Sequence, residues 1–312
     1  MRLLRRLVFA CCLNLLAALG AVAAPSLWVV LSEEGGAHAE VAATLRAELA
    51  PTTIVSGTPD RLFRDAVAPP DLILTVGVVA LDATLERLGG VGEVWDRVPL
   101  LATLLPQAVF VARQAAGAGA RRPLSAVVLD QPLARQMALI RHALPAARRV
   151  GVLPGPQTRQ LLRPLADAAD AQGLKLIVGN EVRGPKEVFP ALRDVLADAD
   201  VLLALPDAQI YNGATWQSIL LTAYRARVPL VSFSAAHVKA GAVLGLSATP
   251  AQVARSAAAM VRQWAGGRGL PPPRAPQEFV VTSNARVAAS LGIDLAETAA
   301  IEADLRRAEG GR

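Results

Sequence analysis

The sequence contains few residues that could carry catalysis or bind a metal ion. Only two of its 312 residues are cysteine, and both lie within the first twelve positions. The three histidines, His38, His142 and His237, are far apart and lack a metal-ligand spacing such as H-x-x-x-H. The chain also has no G-x-S-x-G nucleophile motif and no phosphate-binding P-loop. No cofactor, metal ion or thiol chemistry is therefore expected of the body of the chain.

The first 23 residues have the pattern of a secretory signal peptide. Arg2, Arg5 and Arg6 form a basic start, Leu7–Leu19 is apolar but for one asparagine, and Ala21-Val22-Ala23 matches a cleavage site. A membrane anchor is the alternative, but the apolar run is shorter than the ~20 residues that span a bilayer. We therefore expect export, with cleavage near Ala23 and loss of both cysteines.

The charge of the chain does not predict a nucleic-acid surface. The sequence has 32 basic and 26 acidic residues, and three of the basic ones belong to the predicted leader. The remaining 29 basic residues exceed the acidic ones by only three and are scattered along the chain. Nucleic-acid-binding domains concentrate basic residues on one face, so no nucleic acid is expected as a partner.

Short apolar runs alternate with helical patterns through the rest of the chain. The first five predicted strands are Leu27–Leu31, Thr53–Val55, Leu72–Val76, Val98–Leu104 and Ala126–Leu129. The second five are Val150–Leu153, Leu174–Val178, Val201–Leu205, Val228–Phe233 and Val243–Leu246. Nearly continuous apolar strands between helices are typical of parallel sheets that are covered on both faces. The sequence therefore predicts an α/β fold of two lobes with parallel sheets.

Two prolines indicate where the chain crosses between the lobes. Pro132 can open a helix over Leu133–Leu144, and Thr249-Pro250-Ala251-Gln252 combines an N-cap, a first-turn proline and a capping-box glutamine for a helix over 250–265. The predicted boundaries are 24–130 plus 248–293 for the first lobe, 131–247 for the second lobe and 294–312 for a charged, frayed tail. A strand at Glu278–Thr282 and a short helix at Ala285–Leu291 complete the prediction.

Polar and small residues follow the predicted strands, and ligands bind beyond the carboxyl ends of strands in open α/β sheets. This rule selects Ser32-Glu33-Glu34-Gly35-Gly36, Thr75-Val76-Gly77, Thr103, Asp130-Gln131, Pro154-Gly155, Pro206-Asp207 and Ser232-Phe233-Ser234, with Asn212 close by in sequence. Such hydroxyl, amide, carboxylate and aromatic groups can hold a small organic solute by hydrogen bonds and ring contacts.

Several of these residues have two interpretations. Asp207 could pair with a ligand ammonium, or it could cap the next helix. Ser32 and Ser234 could be nucleophiles, but a serine after a strand is more often a turn or cap residue. Glu33 and Glu34 could form an acid–base pair, or they could stabilise a helix dipole. Because no nucleophile–base pair or metal set is recognisable, the sequence does not predict an enzyme.

Three stretches occur in a specific order along the chain. They are SAVVLDQPLARQMALIRHALPAARRVGVLPGP at 125–156, ADVLLALPDAQIYNGATWQSILLTAYRARVPLVSFSAAHVKAGAVLGLSATPAQVARSAAAMV at 199–261 and FVVTSNARVAASLGI at 279–293. Together they resemble the ABC-transporter substrate-binding family with the type I periplasmic-binding fold, in the branch of tryptophan/tyrosine transporter-like receptors. The chain differs from the usual pattern at Pro206-Asp207-Ala208, where a polar pair with threonine is common.

The resemblance implies two Rossmann-like lobes joined by a hinge, which close on a solute in the periplasm and deliver it to a membrane permease. It also implies a monomer without a cofactor, with cleft contacts at Ser32, Thr75, Asp207, Asn212 and Ser234. The acidic loop LSEEGGAHAE, at residues 31–40, is compatible with a cationic or amine-bearing solute. We therefore expect a periplasmic receptor that binds an amino-acid-like solute, with six ligand-binding residues: Ser32, Thr75, Thr103, Asp207, Asn212 and Ser234. The alternative is an exported interaction or sensory protein of the same fold with a protein partner.

Overall fold

A computed structural model of the protein describes residues 25–64, 66, 68–89 and 93–310. The predicted signal peptide therefore lies outside the described residues. Within the described ranges, no helix combines the length and the apolar character that crossing a membrane requires. The chain forms two separate β-sheets, of five and six strands, whose strands are mostly parallel. This confirms the predicted α/β fold.

The first sheet has the strand order β2-β1-β3-β4-β5 and is parallel throughout. Its strands are β1 (Leu27–Leu31), β2 (Ile54–Gly57), β3 (Leu72–Val76), β4 (Leu100–Leu105) and β5 (Leu124–Val128). The helices among them are α1 (Gly36–Glu48), α2 (Pro59–Arg64), α3 (Val78–Leu88), α4 (Glu93–Asp96) and α5 (Gln107–Ala115). Helices cover both faces, so alternate residues of each central strand enter two different apolar clusters. This explains why these strands are apolar at nearly every position.

The second sheet has the order β11-β10-β9-β8-β6-β7. Its strands are β6 (Arg149–Val152), β7 (Lys175–Val178), β8 (Val201–Leu203), β9 (Leu230–Ser232), β10 (Leu244–Ser247) and β11 (Val280–Ser283). The helices of this part are α6 (Leu133–Ala143), α7 (Leu162–Asp170), α8 (Pro185–Asp198), α9 (Trp216–Arg225) and α10 (Ala235–Lys239), with a 3-10 turn at Arg159–Leu161. Two further apolar clusters lie on the two faces of this sheet.

After β10 the chain returns to the first lobe through α11 (Pro250–Gln263). The predicted capping box is confirmed, since Thr249 accepts from the Gln252 N–H and Gln252 accepts from the Thr249 N–H. Val253, Ala257 and Met260 of α11 pack in the same apolar cluster as β1 and α1. A π-helical turn at Trp264–Arg268 then ends the helix.

The prediction that 248–293 belongs to the first lobe is wrong for its last part. Strand β11 pairs antiparallel with β10, so it is the edge of the second sheet. Two more helices, α12 (Ala285–Ser290) and α13 (Thr298–Gly310), follow it. Phe279 and Val281, on either side of the start of β11, are buried in the second lobe's core. The chain therefore crosses between the lobes three times, near 129–132, 247–250 and 276–280.

The prediction of a frayed tail at 294–312 is also wrong for its described residues. Ile301 and Leu305 of α13, one turn apart, are buried in the core of the second lobe. The Glu309 carboxylate accepts two hydrogen bonds from the Arg135 guanidinium of α6, at 2.5 and 2.9 Å. Glu302 accepts a hydrogen bond from the Val281 N–H at 2.8 Å. Helix α13 therefore packs on the second lobe through a narrow apolar face, although most of its residues are charged or small.

Candidate functional site

The carboxyl ends of strands from both sheets meet at one cavity between the lobes, which we call the cleft cavity. Its volume is about 480 Å³. Its walls are Pro106, Leu129 and Asp130 of the first lobe, Pro206, Phe233–Ala236 and Val280 of the second lobe, and the crossing segment Ser247–Pro250. Ligand sites of small molecules commonly have volumes of about 300–1,000 Å³. The cleft cavity is therefore large enough for a small organic solute.

Asp130 provides the carboxylate of the cleft cavity. It follows β5, and its Oδ2 accepts a hydrogen bond from the N–H of Gln107, the first residue of α5, at 2.5 Å. Burial raises the pKa of the Asp130 carboxyl above its ordinary value, while the Gln107 hydrogen bond acts in the opposite direction. The second carboxylate oxygen makes no hydrogen bond to the described residues, so Asp130 retains an acceptor for a ligand.

The wall contributed by the second lobe is supported by four rings in mutual contact. Phe233 lines the cleft cavity and contacts His237 edge to face, with ring centroids 4.9 Å apart. His237 stacks on Trp216 at 3.6 Å, and Tyr211 contacts both Phe233 and Trp216. The His237 Nδ1 lies 2.6 Å from the Ser232 hydroxyl at the end of β9. This packing fixes the position of the Phe233 ring.

Burial shifts the protonation of two rings in this group. It lowers the pKa of His237 below its ordinary value, because the half-buried imidazolium would lose hydration. It also raises the pKa of Tyr211, and the neighbouring Asp207 carboxylate adds to that effect. Both rings are therefore uncharged at neutral pH. The supporting wall is an apolar aromatic surface rather than a charged one.

Ser234 is one of the predicted site residues and lines the cleft cavity. It also caps α10, since its hydroxyl oxygen accepts from the Ala236 N–H at 3.2 Å. An N-cap serine keeps its own hydroxyl hydrogen free. Ser234 can therefore donate to a ligand without giving up its role in the helix.

Asp207 is nearly inaccessible, with 2% of its surface exposed. Its Oδ2 accepts from the Gln157 N–H at 3.1 Å and from the Thr158 hydroxyl at 3.2 Å, and its Oδ1 accepts from the Gln209 N–H at 3.1 Å. A Cβ placed on Gly155 would lie 2.5 Å from Oδ2, which leaves no room for another group there. In this structure Asp207 ties together the loops that follow β6 and β8.

Asn212 lies in the turn that precedes α9. Its amide nitrogen donates to the Ala208 carbonyl at 2.9 Å, and its side-chain oxygen accepts from the Ala214 N–H at 3.0 Å. Its backbone carbonyl accepts from the N–H of Trp216, the first residue of α9, at 2.9 Å. These contacts organise the turn, and Asn212 does not line the cleft cavity.

Ser32 lies at the carboxyl end of β1, where it meets His38 and Gly77. Its hydroxyl oxygen accepts from the N–H of Ala80 in the first turn of α3, at 2.9 Å. A Cβ on Gly77 would collide with the Ser32 hydroxyl and would lie 2.7 Å from the His38 Nε2. The His38 Nδ1 in turn lies 3.1 Å from a carboxylate oxygen of Glu33. The sequence did not indicate that these three polar side chains converge.

Thr75 and Thr103 are both fully buried within the first sheet. The Thr103 hydroxyl donates to the Thr75 carbonyl at 2.9 Å, while the Thr75 hydroxyl has no partner among the described residues. Each lies inside its strand rather than beyond its end, and neither borders the cleft cavity. In this arrangement of the lobes, both threonines are parts of the core.

No group of three or more potential metal ligands occurs within the described parts of the chain. The family model described as ABC transporter substrate binding protein matches residues 125–305, more than half of the chain. The chain belongs to this family. No curated protein sequence matches it.

Solved structures show which fold this family member has. It is similar to a ligand-free, open substrate-binding protein with adhesive properties from Clostridium difficile, with 14% identity, 88% of this chain and 96% of that chain covered, and a TM-score of 0.63. A conserved domain protein from Vibrio cholerae gives 17% identity, 90% and 98% coverage and a TM-score of 0.57. An ABC domain from Streptococcus pneumonia in complex with L-Trp has 13% identity to this chain and a TM-score of 0.54. The match covers 89% of this chain and 98% of that chain. The shared architecture is the type I periplasmic-binding fold.

For this substrate-binding family member, one of the six predicted site residues, Ser234, lines the cleft cavity. The predicted strand-end loops also include Asp130, Pro206 and Phe233, which line it too, although they were not selected as ligand contacts. The available signal was position: each of the three lies within three residues after the end of a strand, whereas Thr75 and Thr103 lie inside their strands. Pro106 follows β4 directly and carries the same signal.

Proposed function

We propose that this protein is an exported solute receptor of an ABC importer, which binds a small amino-acid-like solute in the cleft cavity and presents it unchanged to a permease. The observation that carries the proposal is the meeting of Asp130, Phe233 and Ser234, from both lobes, in one cavity of about 480 Å³. It acts as a monomer in the periplasm, after removal of its leader.

The chemistry of the cavity favours a zwitterionic or amine-bearing solute with an apolar side chain. The free oxygen of Asp130 can accept from an ammonium group, and a charge-assisted hydrogen bond of this kind is about twice as strong as a neutral one. Phe233 offers a ring face or edge for an apolar or aromatic group. The L-Trp complex of a structural neighbour supports a test that begins with the aromatic amino acids.

A ligand that contacts both lobes also links them. The three crossing segments are the only covalent links between the described lobes, and such segments permit hinge rotation. Contacts to Asp130 on one side and to Phe233 and Ser234 on the other form together only when the lobes enclose the solute. Binding therefore favours the closed arrangement in proportion to those contacts.

The test is a thermal-shift screen of the purified protein against the amino acids, small amines and small carboxylic acids, followed by calorimetry. A solute at a hundred times its dissociation constant should stabilise the protein by about 2.7 kcal/mol. Asp130→Asn should lower the affinity for an amine-bearing solute by at least about tenfold, and Phe233→Leu should weaken an aromatic one. Asp294→Asn, the same change at an exposed site, is the control.

If no compound stabilises the protein, or if Asp130→Asn and Phe233→Leu bind the solute as well as the control, the proposed site is wrong. The alternative, an interaction or sensory protein with a protein partner, would then be tested by cross-linking in whole cells.

A further inference from the structure

A second cavity, also of about 480 Å³, adjoins the cleft cavity at Asp130 and Pro206, and we call it the hinge cavity. Its walls include Gln107 and Phe110 of α5, Leu161 and Pro164 around the start of α7, the crossing residue Gln131, and Arg274, which lies beside β5. Both lobes and the crossing near 129–132 therefore contribute to it. It shares Asp130 and Pro206 with the cleft cavity, but its other lining residues are different.

Gln131 lines the hinge cavity and has an unpaired, buried donor. Its side chain is 5% exposed, and its Nε2 has no hydrogen-bond partner among the described residues. Its Oε1 accepts from the Arg135 guanidinium at 2.8 Å, and Arg135 is itself held by Glu309. Exchanging the oxygen and nitrogen of the amide would set two donors against each other. The Gln131 nitrogen is therefore fixed as a donor that needs an acceptor.

Arg274 supplies the second donor and the positive charge. Its backbone pairs with β5, the edge strand of the first sheet. The Arg274 N–H donates to the Ala126 carbonyl, and the Arg274 carbonyl accepts from the Val128 N–H, each at 3.0 Å. This pairing fixes the base of the side chain beside the cavity. The Nε is buried without a hydrogen-bond partner, and the guanidinium forms no ion pair with any described carboxylate.

Asp130 is the acidic group on the cavity wall, and one of its two carboxylate oxygens is engaged. Its Oδ2 accepts from the Gln107 N–H at the start of α5. This hydrogen bond holds the Asp130 carboxylate toward α5, and burial raises the pKa of Asp130. Both effects limit its repulsion of an anion that pairs with Arg274. The rest of the wall is largely apolar, with Phe110, Leu161 and Pro164 facing the same space.

We propose that the hinge cavity is a second ligand site, for a small carboxylic acid with an apolar body, whose carboxylate accepts hydrogen bonds from Gln131 and Arg274. A planar carboxylate has the oxygens that these donors lack, and a guanidinium is suited to such a group. The site does not depend on the proposed receptor function, since it requires no solute in the cleft cavity.

The experiment titrates the purified protein by calorimetry with butyrate, hexanoate, benzoate and phenylacetate, and with their primary amides. At least one acid should bind, and its amide, which has the same shape but no charge, should bind at least about tenfold more weakly. Arg274→Met should reduce the affinity for the acid by at least about tenfold, whereas Arg268→Met, a change of the same type at an exposed position of the same segment, should leave it unchanged.

Gln131→Glu provides a second, nearly isosteric variant. It keeps an oxygen for Arg135 but replaces the unpaired donor with a carboxylate oxygen, so it should repel the acid and abolish binding. An unchanged melting temperature for Arg274→Met shows that the fold is retained.

The proposal is overturned if no acid binds at concentrations up to about 10 mM, or if Arg274→Met and Gln131→Glu bind as well as the wild type. It is also overturned if Ser234→Ala and Phe233→Leu abolish binding, because the acid would then occupy the cleft cavity. Failure of the solute screen with retained acid binding would refute the receptor function alone.

Discussion

Replacing Asp207 with alanine separates the two interpretations of this residue. The carboxylate accepts from the Gln157 and Gln209 N–H groups and from the Thr158 hydroxyl. A hydrogen bond to a charged group contributes about 1.5–3 kcal/mol, and an unpaired buried donor costs about 1–3 kcal/mol. Since these contacts share one acceptor, their effects do not add. We expect Asp207→Ala to lower the free energy of unfolding by about 3 kcal/mol.

Urea denaturation followed by circular dichroism at neutral pH measures this loss. Asp207→Asn is the matched variant, because its amide oxygen can still accept from one backbone N–H while its NH₂ group faces another donor. It should cost roughly half as much as alanine. If Asp207→Ala unfolds within about 0.5 kcal/mol of the wild type, the carboxylate does not hold the loops together. A stable Asp207→Ala variant that no longer binds an amine would instead support the ligand-pairing interpretation.

Two further predictions test the aromatic group and the last helix. Burial lowers the pKa of His237 in the folded protein, whereas a histidine in the unfolded chain has a pKa of about 6.5. The unfolded chain therefore binds this proton more readily. As a result, the free energy of unfolding decreases as the pH falls from about 6.5 toward the pKa of the folded protein. His237→Phe should retain the stacking on Trp216 and lose less melting temperature between about pH 7.5 and 5.5 than the wild type does; equal losses would contradict the assignment. Leu305→Ala, at a position that is 1% exposed, should lower the free energy of unfolding, measured in urea, by about 2–5 kcal/mol. Arg307→Ala, on the exposed side of α13, should lower it by less than about 0.5 kcal/mol. Equal losses would mean that α13 does not pack on the second lobe.

The strands of both lobes could be predicted because burial on both faces leaves a pattern within each strand's own sequence. A strand covered on two faces needs an apolar residue at nearly every position, which produces a recognisable run such as Leu72–Val76. The lobe to which β11 belongs could not be found in this way. The hydrophobic pattern of this segment is compatible with a strand in either lobe. Only its pairing with β10, for example of Val281 with Leu246, assigns it to the second lobe. Helix α13 was not predicted because its buried face contains few apolar residues, chiefly Ile301 and Leu305.

The candidate site was harder to predict because side-chain roles depend on distant partners. Asp207 has the same local sequence whether it binds a ligand or holds a loop, and its decisive partners, Gln157 and Thr158, are about fifty residues away. Thr103 lies within β4 rather than at its end, so the pleat directs it into the core. Asp130 was among the strand-end residues, but only the folded chain brings it into the same cavity as Phe233 and Ser234.

Asp130 and Pro206 form a shared wall between the two cavities, and this has a consequence for any motion of the lobes. Asp130 belongs to a crossing that is fixed to the first lobe by the Gln107 N–H, and Pro206 belongs to the loop that Asp207 fixes to the second lobe. A rotation of one lobe about the crossings moves these two residues relative to each other, so it changes both cavities at once. An occupant that favours one arrangement of the lobes must therefore alter the affinity of the other cavity, and linkage requires that the effect be reciprocal.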